Sequence, residues 1–226
     1  MKILIATSNP HKLDEIRAVA GDVGIAFVSL AEEGVEVPEP VEDQPTFEGN
    51  ALLKATYYAQ ASGLPCWADD SGLEVDALGG EPGVLSARYA GVLPGAAGGR
   101  DVVDPANNQK LLAELGDTPT DKRSARFVCA MAMDWPGGAE GSAGHAPLIV
   151  RGTFEGRIIT PDQAADPDHP ARGRGANGFG YDPLFYLPDR QCTSAQLTPQ
   201  EKNTLSHRGD ATRKMLAKLR GVLTGG

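Results

Sequence analysis

The chain of 226 residues lacks any apolar run near the length of a membrane span, so an integral membrane protein is not expected. Met1 to Thr7 holds only a short apolar run. It breaks at Ser8-Asn9-Pro10, with no longer apolar core and no small-residue cleavage site, so a signal peptide is not expected. Basic charge is scarce as well. Twenty-one Lys and Arg face 30 Asp and Glu, a net charge of -9, and no basic tract interrupts the acidic balance. Such a surface repels duplex nucleic acid and anionic lipid, so neither nucleic acid nor membrane is an expected partner, but it leaves room for a small anion in a local basic pocket. Cysteine is limited to Cys66, Cys129 and Cys192, an odd number with no close pair. A disulfide framework or zinc site is therefore not expected, and a reducing cytoplasm is. Nor is there a glycine-rich phosphate loop or a dinucleotide fingerprint.

What is present fits one sizeable domain, or two small lobes sharing a sheet. Glycine (28) and proline (17) are plentiful, which implies many loops. Lys2 to Ala6 predicts a buried strand. A polar turn, Thr7-Ser8-Asn9-Pro10-His11-Lys12, leads into apolar residues at 13, 16, 19 and 20, a helical spacing. Ser8 or Asn9 can cap that helix, with Pro10 in its first turn. A strand-turn-helix junction gathers free backbone N–H groups at one point, which attracts phosphate, and Lys12 adds a positive charge there. A strand is expected at Ala26 to Leu30, an acidic irregular loop over Glu32 to Pro45, and a helix over Thr46 to Ser62 with Asn50 and Lys54 on one face. Further helices are expected over Asp104 to Leu115, Leu197 to Leu205 and Ala211 to Leu223. Strands are expected over Arg126 to Asp134 and Leu148 to Glu155, with Arg157 to Ile159 as a candidate continuation.

Cys66-Trp67-Ala68-Asp69-Asp70-Ser71-Gly72-Leu73-Glu74-Val75 is the segment around which the rest is read. It starts as the end of a buried strand (Leu64 to Ala68), passes through a polar turn at Asp69 to Gly72, and resumes as a strand over Leu73 to Leu78. Adjacent carboxylates repel, so they persist together only when solvated, capping something, or facing a cation. One reading is a divalent metal held against a phosphate, completed by a carboxylate of the acidic loop (Glu36, Glu39, Glu42 or Asp43). The other is a surface turn, for which Asp-Asp-Ser-Gly is good chemistry. Gly178-Phe179-Gly180-Tyr181-Asp182-Pro183 forms a second dense segment, where flexible backbone beside flat rings can wrap a planar base or simply fill a core. Ser206-His207-Arg208-Gly209-Asp210 breaks the helical pattern and offers donors for a base edge or a phosphate.

Six motifs occur in order: Thr-Ser-Asn-x-x-Lys, Phe-x-x-Asn-Ala-x-x-Lys-Ala, Ala-Asp-Asp-Ser-Gly-Leu-x-Val-Asp-Ala-Leu-Gly-Gly-x-Pro-Gly, Ser-Ala-Arg-Tyr, Gly-Phe-Gly-Tyr-Asp-Pro and Ser-His-Arg-Gly. From Ile3 to Leu219 the chain resembles the inosine/xanthosine triphosphate pyrophosphatase family. The resemblance implies a single α/β domain over 1–226, built of two lobes on a long bent mixed sheet flanked by helices, with the substrate cleft between the lobes, and a homodimer. It implies hydrolysis of inosine, deoxyinosine and xanthosine triphosphates (ITP, dITP, XTP) to monophosphate and pyrophosphate with magnesium (Mg2+), which cleanses the nucleotide pool of deaminated purines.

By the same resemblance, Thr7, Ser8, Asn9, Lys12 and Lys54 contact phosphates. Glu42 and Asp70 hold the metal, Asp70 also acts on water, and Ser71 contacts substrate. Phe179, Gly180, Tyr181 and Asp182 hold the base together with Lys202, His207 and Arg208. Asp43 competes with Glu42 as ligand, and whether Asp70 is a base or only positions a water stays open. Residues 94–104 and 163–176 exceed the family core and read as loop insertions. A pyrophosphatase for other modified nucleotides and a non-catalytic nucleotide binder are the alternatives.

Overall fold

The computed structural model describes residues 1–7, 10–21, 23–92, 99–137 and 145–224. Among the described residues, seven strands form one mixed sheet: β1 (Lys2–Ile5), β2 (Ala26–Ser29), β3 (Cys66–Val75), β4 (Ser124–Asp134), β5 (Leu148–Ile158), β6 (Phe185–Leu187) and β7 (Cys192–Thr193). Their spatial order is β2-β1-β3-β4-β5-β6-β7. β1 pairs in parallel with both β2 and β3, while β6 is antiparallel to β5 and β7. Among the described residues, five helices flank it: α1 (Pro10–Ala20), α2 (Phe47–Ser62), α3 (Arg100–Leu115), α4 (Pro199–Leu205) and α5 (His207–Thr224). The α/β class with helices about a mixed sheet is thus as expected. Among the described residues, no helix is long and apolar enough to cross a membrane.

The chain divides into two compact units, and β3, β4 and β5 each carry residues of both. The first comprises residues 1–71, 129–153 and 203–226. Its core gathers Ile3 and Ile5 of β1, Leu13, Ile16 and Ala20 of α1, Trp67, the Cys129-Met131-Met133 face of β4, and Ala211, Met215 and Leu219 of α5. The spacing of four along α5 is that of one buried helical stripe. The second unit comprises residues 72–128 and 154–202. Its core holds Leu73, Val75, Leu111, Leu115, Leu184 and Phe185, with the Phe127 ring 4.5 Å from that of Phe185.

Most element boundaries fall within a few residues of those read from the sequence. Thr46 caps α2 by accepting from Gly49 N, and Pro10 opens α1. Three expectations are corrected. Asp69 to Gly72 is no turn: β3 runs unbroken from Cys66 to Val75. Gly72 is tolerated in the strand because a Cβ there would run into the Ser86 hydroxyl and the Gly83 carbonyl. Past Val75 the chain turns into a short 3-10 segment, Asp76–Leu78, rather than continuing as strand. The helices α3 and α5 also start earlier than expected. α3 begins at Arg100 and passes through Pro105, while His207 and Arg208 form the first turn of α5 instead of breaking the pattern.

Candidate functional site

Strand geometry explains the central carboxylates. Successive side chains of a strand point to opposite faces, so Asp69 and Ser71 share one side and Asp70 takes the other. The register aligns Ile5 of β1 with Trp67, and Ala6 N donates to Trp67 O at 2.9 Å. The end of β1, where Thr7 leaves the sheet half-buried, therefore lies level with these carboxylates. Ligands in parallel α/β sheets are commonly held at this carboxyl end of the strands.

On one side Asp69 is the hub. Its Oδ2 is 2.9 Å from Lys12 Nζ and 3.5 Å from Arg208 Nη2. Arg208 Nη2 also donates to Ser71 Oγ at 3.2 Å, and Arg208 Nη1 to Glu15 Oε2 at 2.6 Å. Asp69 and Arg208 are only 3% exposed, so this is a buried ion network and breaking one partner strands the other. Burial alone would raise the Asp69 carboxyl, but Lys12, Arg208 and Lys54 hold it well below the usual carboxylate range. Arg208 shifts the other way: burial opposes its charge, yet Asp69 foremost, then Cys129 and Glu15, raise it above an ordinary guanidinium.

On the other side, Asp70 Oδ2 accepts from Asn50 Nδ2 of α2 at 3.0 Å, and its Oδ1 accepts from Ser71 N at 2.9 Å. One turn further along α2, Lys54 Nζ is 2.8 Å from Glu42 Oε1. Burial first, and the Glu42 charge after it, push the Asp70 carboxyl above its ordinary value despite the pull of Lys54 and Asn50. Lys54 would be depressed by burial, but Asp69, Asp70 and Glu42 outweigh this and raise it. Asp43, in contrast, is exposed and accepts from Gln44 Nε2 at 2.8 Å.

The second unit holds the other dense segment. Asp182, 4% exposed, accepts from Ser194 Oγ at 2.5 Å, from Phe179 N at 2.9 Å and from Lys202 Nζ at 2.5 Å. Phe179 is half-buried, with the Arg100 guanidinium 4.3 Å from its ring centre and Lys202 Nζ 5.7 Å away. The Tyr181 hydroxyl turns inward and donates to Ser86 O at 2.8 Å, and burial pushes it far up.

The residues singled out in the sequence thus fall into three groups. Lys12, Ser71 and Arg208 meet at Asp69; Glu42, Lys54 and Asp70 meet beside Asn50; Phe179, Asp182 and Lys202 meet in the second unit, next to Gly180 and Tyr181. His207 is buried at the start of α5. Ser8 and Asn9 lie outside the described residues. Among the described residues, no three His, Cys, Asp or Glu side chains cluster to hold a metal.

The sequence model of the Ham1 family matches residues 3–218. The chain belongs to the Ham1 family. A relative from Exiguobacterium sibiricum, a dITP/XTP pyrophosphatase, is 45% identical over 219 residues, covering 97% of each chain. Among solved structures, a Ham1 protein from Coxiella burnetii superposes with a TM-score of 0.78 at 40% identity, covering 97% of this chain and 98% of that one. The nucleoside-triphosphatase / dITP/XTP pyrophosphatase of Mycobacterium abscessus gives 0.69 at 42% identity, with the same coverage.

Several residues of this Ham1 chain that shape the site carry no role in the sequence reading. Glu15, three residues beyond Lys12 and so on the same face of α1, anchors Arg208. Gly152 of β5 lets the first turn of α5 approach, because a Cβ there would overlap the His207 carbonyl and the Ala211 amide. Ser194, Asp104 and Asn108 tie down the Phe179–Asp182 segment. Glu15 had a readable signal, the i,i+3 spacing from Lys12. The others join segments distant in sequence, and no local pattern marks them.

Proposed function

We propose that this chain is a magnesium-dependent nucleoside triphosphate pyrophosphatase. It converts ITP, dITP and XTP to the monophosphate and pyrophosphate and so clears deaminated purines from the nucleotide pool. The names of its relatives support the reaction. The observation that carries the reading is the arrangement about Lys54: Glu42 and Asp70, two carboxylates of like charge, lie beside one half-buried ammonium, and the Asp70 carboxyl is raised.

Two hard oxygen donors, without a third acid or a soft ligand among the described residues, suit Mg2+, which fills its shell with water and substrate phosphates. Glu42 and Asp70 would hold it; Asp43, exposed and occupied by Gln44, fits the role less well. Bound there, it would neutralise phosphate charge and ease attack on the α-phosphorus. Lys12, Lys54, Thr7, Ser8 and Asn9 grip the phosphates. Glu42 is engaged by Lys54, whereas Asp70 is held by a neutral amide and the Ser71 N–H, so Asp70 orients the attacking water and takes its proton. The new P–O bond forms as the bond from the α-phosphorus to the α,β-bridging oxygen breaks, and pyrophosphate leaves with that electron pair. Ser71 contacts substrate beside it. Phe179, Gly180, Tyr181, Asp182, Lys202, His207 and Arg208 hold the base; a donor among them that pairs with a 6-oxo group would be left unpaired by a 6-amino group. We further propose a cytoplasmic homodimer, consistent with three free cysteines.

The deciding measurement is pyrophosphate release from ITP, dITP, XTP, GTP, ATP and pyrimidine triphosphates, with and without Mg2+. The 6-oxo purines lacking a 2-amino group are expected to turn over fastest, and only with the metal. Asp70→Asn is expected to lower kcat about 100-fold or more with the fold intact. Equal turnover of pyrimidine triphosphates would point to another modified nucleotide as substrate. Binding of ITP without product would point to a non-catalytic binder, and wild-type turnover in Asp70→Asn would remove Asp70 from the chemistry.

A further inference from the structure

We infer that Asp104, at the start of α3, is a positioning residue for the base: with Asn108 and Arg100 it clamps the Phe179-Gly180 segment in its base-holding conformation. The inference rests on the reading above that this segment holds the base. Asp104 Oδ2 accepts from Gly180 N at 2.7 Å. One turn later, Asn108 Nδ2 donates to Gly180 O at 3.2 Å. Both backbone polar groups of one glycine are thereby held by a single helix. The Gly180 φ of +61° lies in the left-handed region, where no regular strand or helix would hold these groups.

The third contact lies one turn before Asp104. Arg100, ion-paired with Asp104 at 4.0 Å, sets its guanidinium over the Phe179 ring. A cation over the ring steadies its plane, and Lys202 Nζ lies 5.7 Å from the same ring centre. The same Asn108 amide also donates to Ala171 O at 3.3 Å, while its buried Oδ1 accepts nothing. An amide that leaves its acceptor unpaired in order to reach two carbonyls is placed for its donors. Arg100 and Asp104 thus act from the first turns of α3, and the Asn108 amide ties the same helix to Ala171; of the expected 94–104 loop, residues 94–98 lie outside the described residues. Asp182 completes the frame from the opposite end by accepting from Phe179 N.

The test is a set of kinetic variants on the full chain with ITP. Asp104→Ala is expected to raise KM about tenfold with kcat within about twofold, the size expected for one hydrogen bond to a charged acceptor. Asp104→Asn, which keeps an acceptor, restores most of the loss. Arg100→Met, which removes the ring contact and leaves both Gly180 bonds, raises KM about threefold and keeps the test open should Asp104→Ala not fold. The decisive readout is a double-mutant cycle. If Asp104 acts through the Phe179 segment, Asp104→Ala adds nothing to KM once Phe179→Ala is present. Equal effects in both backgrounds, or an unchanged KM in Asp104→Ala while Phe179→Ala raises it, overturn the clamp and leave the base-holding reading standing. An unchanged KM in Phe179→Ala itself overturns that reading, and the clamp with it.

Discussion

Asp69 and Asp70 are neighbours in the chain and opposites in energetics. Asp69 faces Lys12 and Arg208, so its charge stabilises the fold. Its lowered carboxyl contributes stability that is present above the ordinary value of 3.8 and is lost as pH falls below it. Asp70 has the reverse sign. Its raised carboxyl favours the fold when protonated, and that contribution disappears as pH rises through the raised value. Asp70→Asn in the metal-free protein should therefore raise the melting temperature by a few degrees at pH 7 and by nothing at acid pH. Asp69→Asn should lose about 3–5 kcal/mol at pH 7, because buried Arg208 and half-buried Lys12 are left facing a neutral amide. Thermal melts of both variants between pH 3 and 8 check this. A destabilised Asp70→Asn at neutral pH would mean that its charge is structural, not held at a cost for function.

Among the elements, α3 shows what local pattern can and cannot reveal. A helix over Asp104 to Leu115 is readable, but its first turn is not, because the stretch up to Arg100 is Gly- and Ala-rich and reads as loop; the helix begins at Arg100, which sets its guanidinium over the Phe179 ring. β3 likewise looked interrupted, since Asp-Asp-Ser-Gly is good turn chemistry. Partners far along the chain, Arg208 and Asn50, satisfy those carboxylates in place, so the strand continues. The other end of α3 is closed by a residue with no motif at all. Arg123, 1% exposed, donates to Gly116 O at 2.6 Å, to Thr118 O at 2.8 Å and to Ile159 O at 3.2 Å. These carbonyls include the one just past the helix end, where a cation also meets the favourable end of the dipole. Arg123→Ala should therefore cost about 3 kcal/mol in chemical denaturation, with Arg123→Lys recovering part of it. A loss under about 1 kcal/mol would show that water replaces the guanidinium there.

Across the whole molecule, the sequence made the α/β class, the long α2 and the ordered motifs legible because each is a local pattern of spacing. It left illegible the pairing of charges among Glu15, Lys12, Asp69 and Arg208, which joins three distant segments. The charges it did mark separate by unit. Lys54 with Glu42 and Asp70 belongs to the first, and Phe179 with Asp182 and Lys202 to the second. If the Lys54 group serves the triphosphate and the Phe179 group the base, the two must fail in different ways. A chain of net charge -9 draws a polyanion only through local cations, and those cations cannot tell one base from another. Lys54→Met should therefore lower kcat/KM about 100-fold for ITP, XTP and ATP alike, leaving their ratios within about twofold. Phe179→Ala should cost less on ITP, about tenfold, yet shrink the ITP-to-ATP ratio, because stacking and the donors it orients carry the discrimination. Measuring kcat/KM for the three nucleotides on both variants checks this, and a Lys54→Met enzyme with altered base preference would show that the two groups do not divide the labour in this way.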